Sequence, residues 1–180
     1  EFTEDVTMKT GDGALLTLQT SDTTVSDGDV LGALQFQAPN ESSGTDAITV
    51  AASIVAEADD TFAADNNQTD MVFKLGSSEA ATEKMRLAHE GALSIPGDGS
   101  TNTNHISLGA DADLKIYHDG TDAFLNNATG HVFIRTTNSD KQVALQQNSV
   151  TKLHTTSSGV TVSGTITSSG AITSSGIVTG

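Results

Sequence analysis

The chain has 180 residues and a formal net charge of −15, with 23 acidic against eight basic side chains, 4% aromatics, no Trp, one Tyr and no Cys. So acidic a chain repels the phosphates of nucleic acid and the surfaces of anionic membranes. The absence of Cys excludes disulfides and thiolate metal sites, and no apolar run reaches the roughly 18–20 residues of a membrane span.

The charge is uneven: six basic and 23 acidic residues leave −17 through residue 140, while Lys141 and Lys152 leave +2 beyond it. Low hydrophobicity with high net charge is also the signature of disorder. Here, however, the apolar residues fall in alternating runs bounded by turn residues, which disorder does not require.

Taken in chain order, residues 1–30 form an N-terminal segment with one predicted strand, Ala14–Gln19, entered from Gly11-Asp-Gly13 and followed by the acidic turn Ser26–Asp29. A β-rich domain is expected over 31–96. Leu31–Gln37 alternates Ala33 and Gln35 against Leu34 and Phe36, as a half-buried strand does, and stops at Pro39-Asn40. The run Ala47–Ala58 is rich in Ala, but Ile48, Val50 and Ala52 alternate, and strand is favoured over helix. The polar loop Asp59–Thr69 leads into a strand over Asp70–Leu75, and Thr82–Gly91 and Ala92–Ile95 complete the region. Gly-Ala-Leu recurs at 13–15, 32–34 and 91–93, a hint of a degenerate repeat.

Residues 97–158 read as short strands at close spacing: Ile106–Leu108, Leu114–Tyr117, Ala123–Leu125, Val132–Ile134, Val143–Leu145 and Lys152-Leu153, separated by Gly, Asp and Asn turns. Such spacing implies a meander or solenoid with little helix.

Residues 159–180 repeat on a six-residue beat. Gly164, Gly170 and Gly176 recur with Ile166, Ile172 and Val178, just after the alternating Val160 and Val162. Burying one Ile or Val is worth about 1.5–3 kcal/mol, whereas fixing six residues costs about 6–12 kcal/mol. Ladder hydrogen bonds, at about 1 kcal/mol net each, recover part of the difference. Such units become stable when many stack or when several chains wind together. Val160, Val162, Ile166, Ile172 and Val178 are therefore the candidate residues for an interface within a homotrimer.

Two longer phrases resemble the tail-fibre and tailspike proteins of tailed bacteriophages, marine ones especially. Thr82-Glu-Lys-Met-Arg-Leu-Ala-His-Glu-Gly-Ala-Leu-Ser-Ile95 is similar to the family phrase Thr-Glu-Arg-Met-Arg-Ile followed by Gly-x-Val-x-Ile, with Met71–Leu75 where the family has its preceding strand. Leu108-Gly-Ala-Asp-Ala-Asp-Leu-Lys-Ile-Tyr-His-Asp-Gly120 resembles a segment of cyanophage fibres that continues as Gly130–Arg135 does here, and Thr151–Gly164 completes the pattern. The resemblance covers about residues 31–164 and implies an all-β fold: an elongated, intertwined homotrimeric fibre of short strand-turn repeats, β-prism-like or β-helix-like. It implies other virion tail proteins and a host cell-surface receptor as partners, and a place on the virion, outside the cell. Both ends of the chain look cut from something longer, and nothing here resembles the self-cleaving chaperone that often ends such fibres.

The residue types that carry chemistry have simpler uses in this chain. Glycan-cleaving tailspikes need two positioned acids about 5–9 Å apart. The pairs Asp59/Asp60, Asp111/Asp113 and Asp119/Asp122 all sit in turns, where Asp hydrogen-bonds its own backbone, and none has an aromatic platform for a sugar. Asp111-Ala-Asp113 begins like a calcium loop but lacks the glycine and distal Glu that such a loop requires. The thirteen-residue spacing of His105, His118 and His131 suggests equivalent positions in successive units, and neither these nor His89 and His154 have the spacing of a metal site. No nucleophile elbow, phosphate-binding loop or dinucleotide fingerprint occurs. The expectation is a non-catalytic structural segment without cofactor or metal. A bacterial adhesin stalk is the competing class, and a glycan-cleaving tailspike fits less well.

Overall fold

Alternating β-branched and polar residues, cut at short intervals by turn formers, yield strands that each pair with the next in sequence. The computed structural model describes residues 6–38, 42, 44–138, 140–171 and 173, and among them eleven strands form three open antiparallel sheets. The protein is all-β; the only helical element among the described residues is a 3-10 turn at Asp46–Ile48. The chain divides into two units, 1–128 and 129–180.

The first unit holds two meanders. Strands β1 (Val30–Gln37), β2 (Val50–Ala58), β3 (Thr69–Leu75), β4 (Thr82–Leu87) and β5 (Leu93–Ser94) lie side by side in that order. Strands β6 (Ile106–Leu108), β7 (Leu114–His118) and β8 (Ala123–Asn127) form the other sheet. There, Tyr117 stands opposite Phe124 and their rings stack with centroids 4.8 Å apart. The second unit is a three-stranded sheet of β9 (Ala144–Gln147), β10 (Val150–Thr156) and β11 (Gly159–Val162), with β10 in the middle.

Most expected strands are present, some longer than their apolar run: β10 covers seven residues around Lys152-Leu153. The run 47–58 differs at its start, where Asp46–Ile48 turns before β2 begins at Val50. Two expected strands are not assigned. Ala14–Gln19 and Val132–Ile134 join no ladder, although both are rich in apolar residues. The pattern gave them a face but not a partner, and a strand needs both. Their apolar side chains stay exposed, Leu15 at 79% and Phe133 at 82%.

The five-stranded sheet has two unlike faces. Its register puts Ser53, Val55, Glu57, Asp70, Val72, Lys74 and Arg86 on one side. On the other lie Leu34, Phe36, Ile54, Met71, Phe73 and Leu87, with Leu93 paired to Leu87 at the end. The first face, polar in composition, holds four of the five buried residues among those described: Val72, Val55, Ser53 and Asp70. The second, apolar face is open along most of its length. Only at one end does the chain fold over it, where Leu18 rests against Gly32 so closely that a Cβ at Gly32 would lie 2.8 Å from that of Leu18.

Between the two meanders, Gly99 donates its N–H to the carbonyl of His118 at 2.6 Å. A side chain at Gly99 would run into the Asn104 carbonyl and the Cβ of Tyr117. Backbone cannot yield as a flexible side-chain end can, so Gly99→Ala should cost about 1–3 kcal/mol, whereas Gly11→Ala, which faces open space, should be close to neutral. Urea unfolding followed by the emission of Tyr117, the only Tyr in a chain without Trp, checks both.

Candidate functional site

The densest set of polar side chains is on the buried face of the five-stranded sheet, centred on Arg86. The register places Arg86 of β4 opposite Val72 of β3, and Asp70 of β3 opposite Glu57 of β2. The guanidinium reaches over β3, donating to Asp70 Oδ2 at 2.8 Å, to Glu57 Oε1 at 2.7 Å and to both Glu83 oxygens at 2.9 and 3.1 Å. Lys74 Nζ stands 3.6 Å from the second Glu57 oxygen. These long side chains roof Val72 and Val55, and that is how a face of mostly polar residues comes to be buried.

Glu83 and Arg86 share this face because β4 carries a bulge. Phe73 pairs with Met85 and Lys74 with Glu83, leaving Lys84 as the extra residue. Without it, Glu83 would fall on the side of Met85.

Protonation follows from these contacts. Burial raises the affinity of Asp70 for a proton, but the Arg86 hydrogen bond, the His89 backbone N–H and the nearby positive charge outweigh it and hold the carboxyl below its ordinary 3.8. The Arg86 hydrogen bond likewise holds Glu83 below its ordinary 4.5, and its three acidic partners, Glu83 first, raise Arg86 further.

Asp70 also faces a second group. Its Oδ1 accepts the backbone N–H of His89 at 2.9 Å. The His89 imidazole Nδ1 lies 3.1 Å from Asp59 Oδ2, 3.3 Å from Glu90 Oε2 and 3.6 Å from Asp70 Oδ1. Asp59, Asp70 and His89 bring ligand-type atoms within 4.8 Å of one another, a set able to hold a divalent cation through one nitrogen and two oxygens. Within this set, Asp70 Oδ1 already accepts the His89 backbone N–H.

The sequence-predicted residues stand apart from this network, except Asp59 and His89. Asp60 accepts from the Asn66 side chain and the Thr61 N–H. Asp119 accepts backbone N–H groups of Asp122 and Thr121 at 2.8 and 2.9 Å, the expected turn, and these bonds lower its pKa. Asp111 and Asp113 flank Ala112, a turn residue at φ 55°. The thirteen-residue spacing does not give the histidines equivalent places: His105 precedes β6, His118 ends β7, and His131 lies outside any strand, edge-on to Phe133. His154, on β10, has an enclosed Nδ1 without a hydrogen-bond partner.

Among the interface candidates, Val160 and Val162 lie on β11, opposite Thr155 and Leu153, and are exposed at 61% and 38%. Ile166 is exposed beyond the strand; Ile172 and Val178 lie outside the described residues. Gly164 adopts φ 134°, a turn conformation that favours glycine.

Comparison of the chain with protein-family models, with curated proteins and with solved structures finds no match.

Removing one member of a buried ion network leaves the others uncompensated. Arg86→Leu should therefore cost about 3–5 kcal/mol, and adding Asp70→Asn should restore part of it, as urea unfolding would measure. A carboxyl with a depressed pKa contributes its full stabilisation above the unfolded-state value and loses it as pH falls through that value toward the folded one. Stability should thus fall from about pH 4.5 downward, through the ordinary values of Glu83 and Asp70, and fall less in Arg86→Leu.

Proposed function

We propose that the chain is a non-catalytic structural segment of a trimeric fibre of the phage tail-fibre kind, a rod that links a virion to a receptor-binding tip. One observation carries the oligomeric part: the chain buries too little of itself to stand alone. Its accessible surface is 14239 Å². A single globule of 18.4 kDa would expose about 8,000 Å², and two separate globules cut at residue 128 still under about 10,000 Å². Val55, Ala58 and Val72 are the only buried apolar residues among those described.

The remainder of some 4,000–6,000 Å² is of the size that obligate assembly removes. Obligate interfaces bury about 2,000–5,000 Å² in total, and a chain in a trimer shares two of them. The unladdered segments 14–19 and 132–134 support the same reading, because Leu15, Leu16, Phe133 and Ile134 stay exposed, as does Ile166 beyond β11. The fibre identity rests on the family-like phrases 82–95 and 108–120. Both fall within this all-β region, the first on β4 and β5 and the second from the end of β6 through β7.

Light scattering should give about 55 kDa, three times the 18.4-kDa chain, and electron micrographs should show rods. A cooperatively folded monomer overturns the reading. With −17 per chain through residue 140, three chains place −51 on that part of the assembly. Salt screens exposed charges over about 8–10 Å at physiological strength. The melting temperature should therefore rise from low to physiological salt, which calorimetry would follow.

A further inference from the structure

Resting on the trimeric reading above, we propose that the apolar face of β1–β5 is the surface through which three copies of this chain meet, each face covered by those of the other two. The side chains concerned are Leu34, Phe36, Ile54, Phe73, Leu75 and Met85, continued by Met71, Leu87 and Leu93. In a monomer this face is open: Met71 is exposed at 39%, Phe36 at 56% and Leu93 at 60%. A contiguous apolar surface over several strands is rare on a soluble monomer and marks a docking site.

Charge points to the occupant. The chain carries 23 acidic residues, yet the register puts none on this face between Gly32 of β1 and Leu93 of β5. A basic partner would find no ion pair here. Copies that approached through the acidic surfaces of residues 1–140 would repel one another, and this face removes that obstacle. Its opposite face is already closed by the Arg86 network.

Among the described residues, the N-terminal segment covers this face only at one end. Leu18 fills only the notch beside Gly32, Leu34, Ile54 and Met71, and Leu16 and Leu15 before it remain exposed at 60% and 79%. Beyond that notch a largely apolar groove of about 330 Å³ is open, floored by Ala52, Ile54 and Phe73 and flanked by Phe36, Leu75 and Met85, with Lys84 also in its lining.

The absence of Cys from the chain allows a single thiol to be placed on either face of β1. Phe36→Cys lies on the apolar side and Gln35→Cys, its exposed neighbour, on the other. With a nitroxide on each thiol in turn, the full chain at Phe36→Cys should give a spectrum broadened by label–label interaction, and Gln35→Cys an unbroadened one. Phe73→Asp should lose the trimer mass in light scattering.

If the wild type is a trimer while Phe36→Cys gives no broadening, or Phe73→Asp keeps the trimer mass, the copies meet elsewhere and only the proposal for this face falls. Broadening at Gln35→Cys in place of Phe36→Cys likewise rejects it. A wild type that is a folded monomer overturns the trimeric reading itself, and the face with it.

Discussion

Arg86 binds three carboxylates on three strands, and the buried side of the five-stranded sheet depends on it. Its guanidinium joins β4 to Asp70 on β3 and to Glu57 on β2, and Glu83 completes its donor set from within β4. An antiparallel sheet in a globular domain ordinarily closes one face with aliphatic residues packed against a second layer. Here the cover is made from the stems and heads of Arg, Lys and Glu, with Val55 and Val72 sealed beneath. Planar, multidentate hydrogen bonding makes Arg suited to this position in a way Lys is not. The carboxylates need the cation as much as it needs them, since a buried unpaired charge is among the most expensive features a fold can contain.

This arrangement separates two tasks that most domains combine. Charge closes one side of the sheet within a single chain, with partners fixed by register and geometry. The other side is left to apolar side chains, whose attraction is non-directional and can be satisfied by a partner outside the chain. In a chain with 23 acidic residues, drawing several of them into a network with Arg86 and Lys74 neutralises part of the local field. It also keeps acids off the apolar side. The acid-free face and the ionic face are thus two consequences of one alternating pattern, β2 and β3 each contributing to both.

That pattern was readable for strand identity and much less so for contacts. β1, β3, β6, β7 and β8 follow the alternation and turn signals within one or two residues. The run before β2 misled because Ile48 continues the apolar beat, while Asp46 and Thr49 close a 3-10 turn around it. Arg86 and Glu83 appeared in the sequence only as parts of a family-like phrase. Strict alternation separates them, being three apart, and only the bulge at Lys84 returns them to one face. A bulge is set by pairing with another strand, which local pattern does not reveal. His89 was similarly opaque, because the turn from Ala88 to Ala92 and the pairing of β3 with β4 bring it to Asp70, nineteen positions away. The turn role of Asp119 was legible because its partners are the next residues in the chain.

The topology bears on how such a protein reaches its folded state. Each sheet is a meander whose neighbouring strands are consecutive in sequence, so every ladder closes through a local connection and the loop-closure cost of each stays small. Backbone pairing can therefore form within one chain. What one chain lacks is burial: ladder hydrogen bonds net only about 1 kcal/mol each, and fixing each residue's backbone costs about 1–2 kcal/mol, so ladders without apolar cover leave a deficit. On the proposed assembly, that deficit is met when the open faces and unladdered segments find other copies. Folding and association then become one equilibrium, and stability depends on chain concentration rather than on the protomer alone.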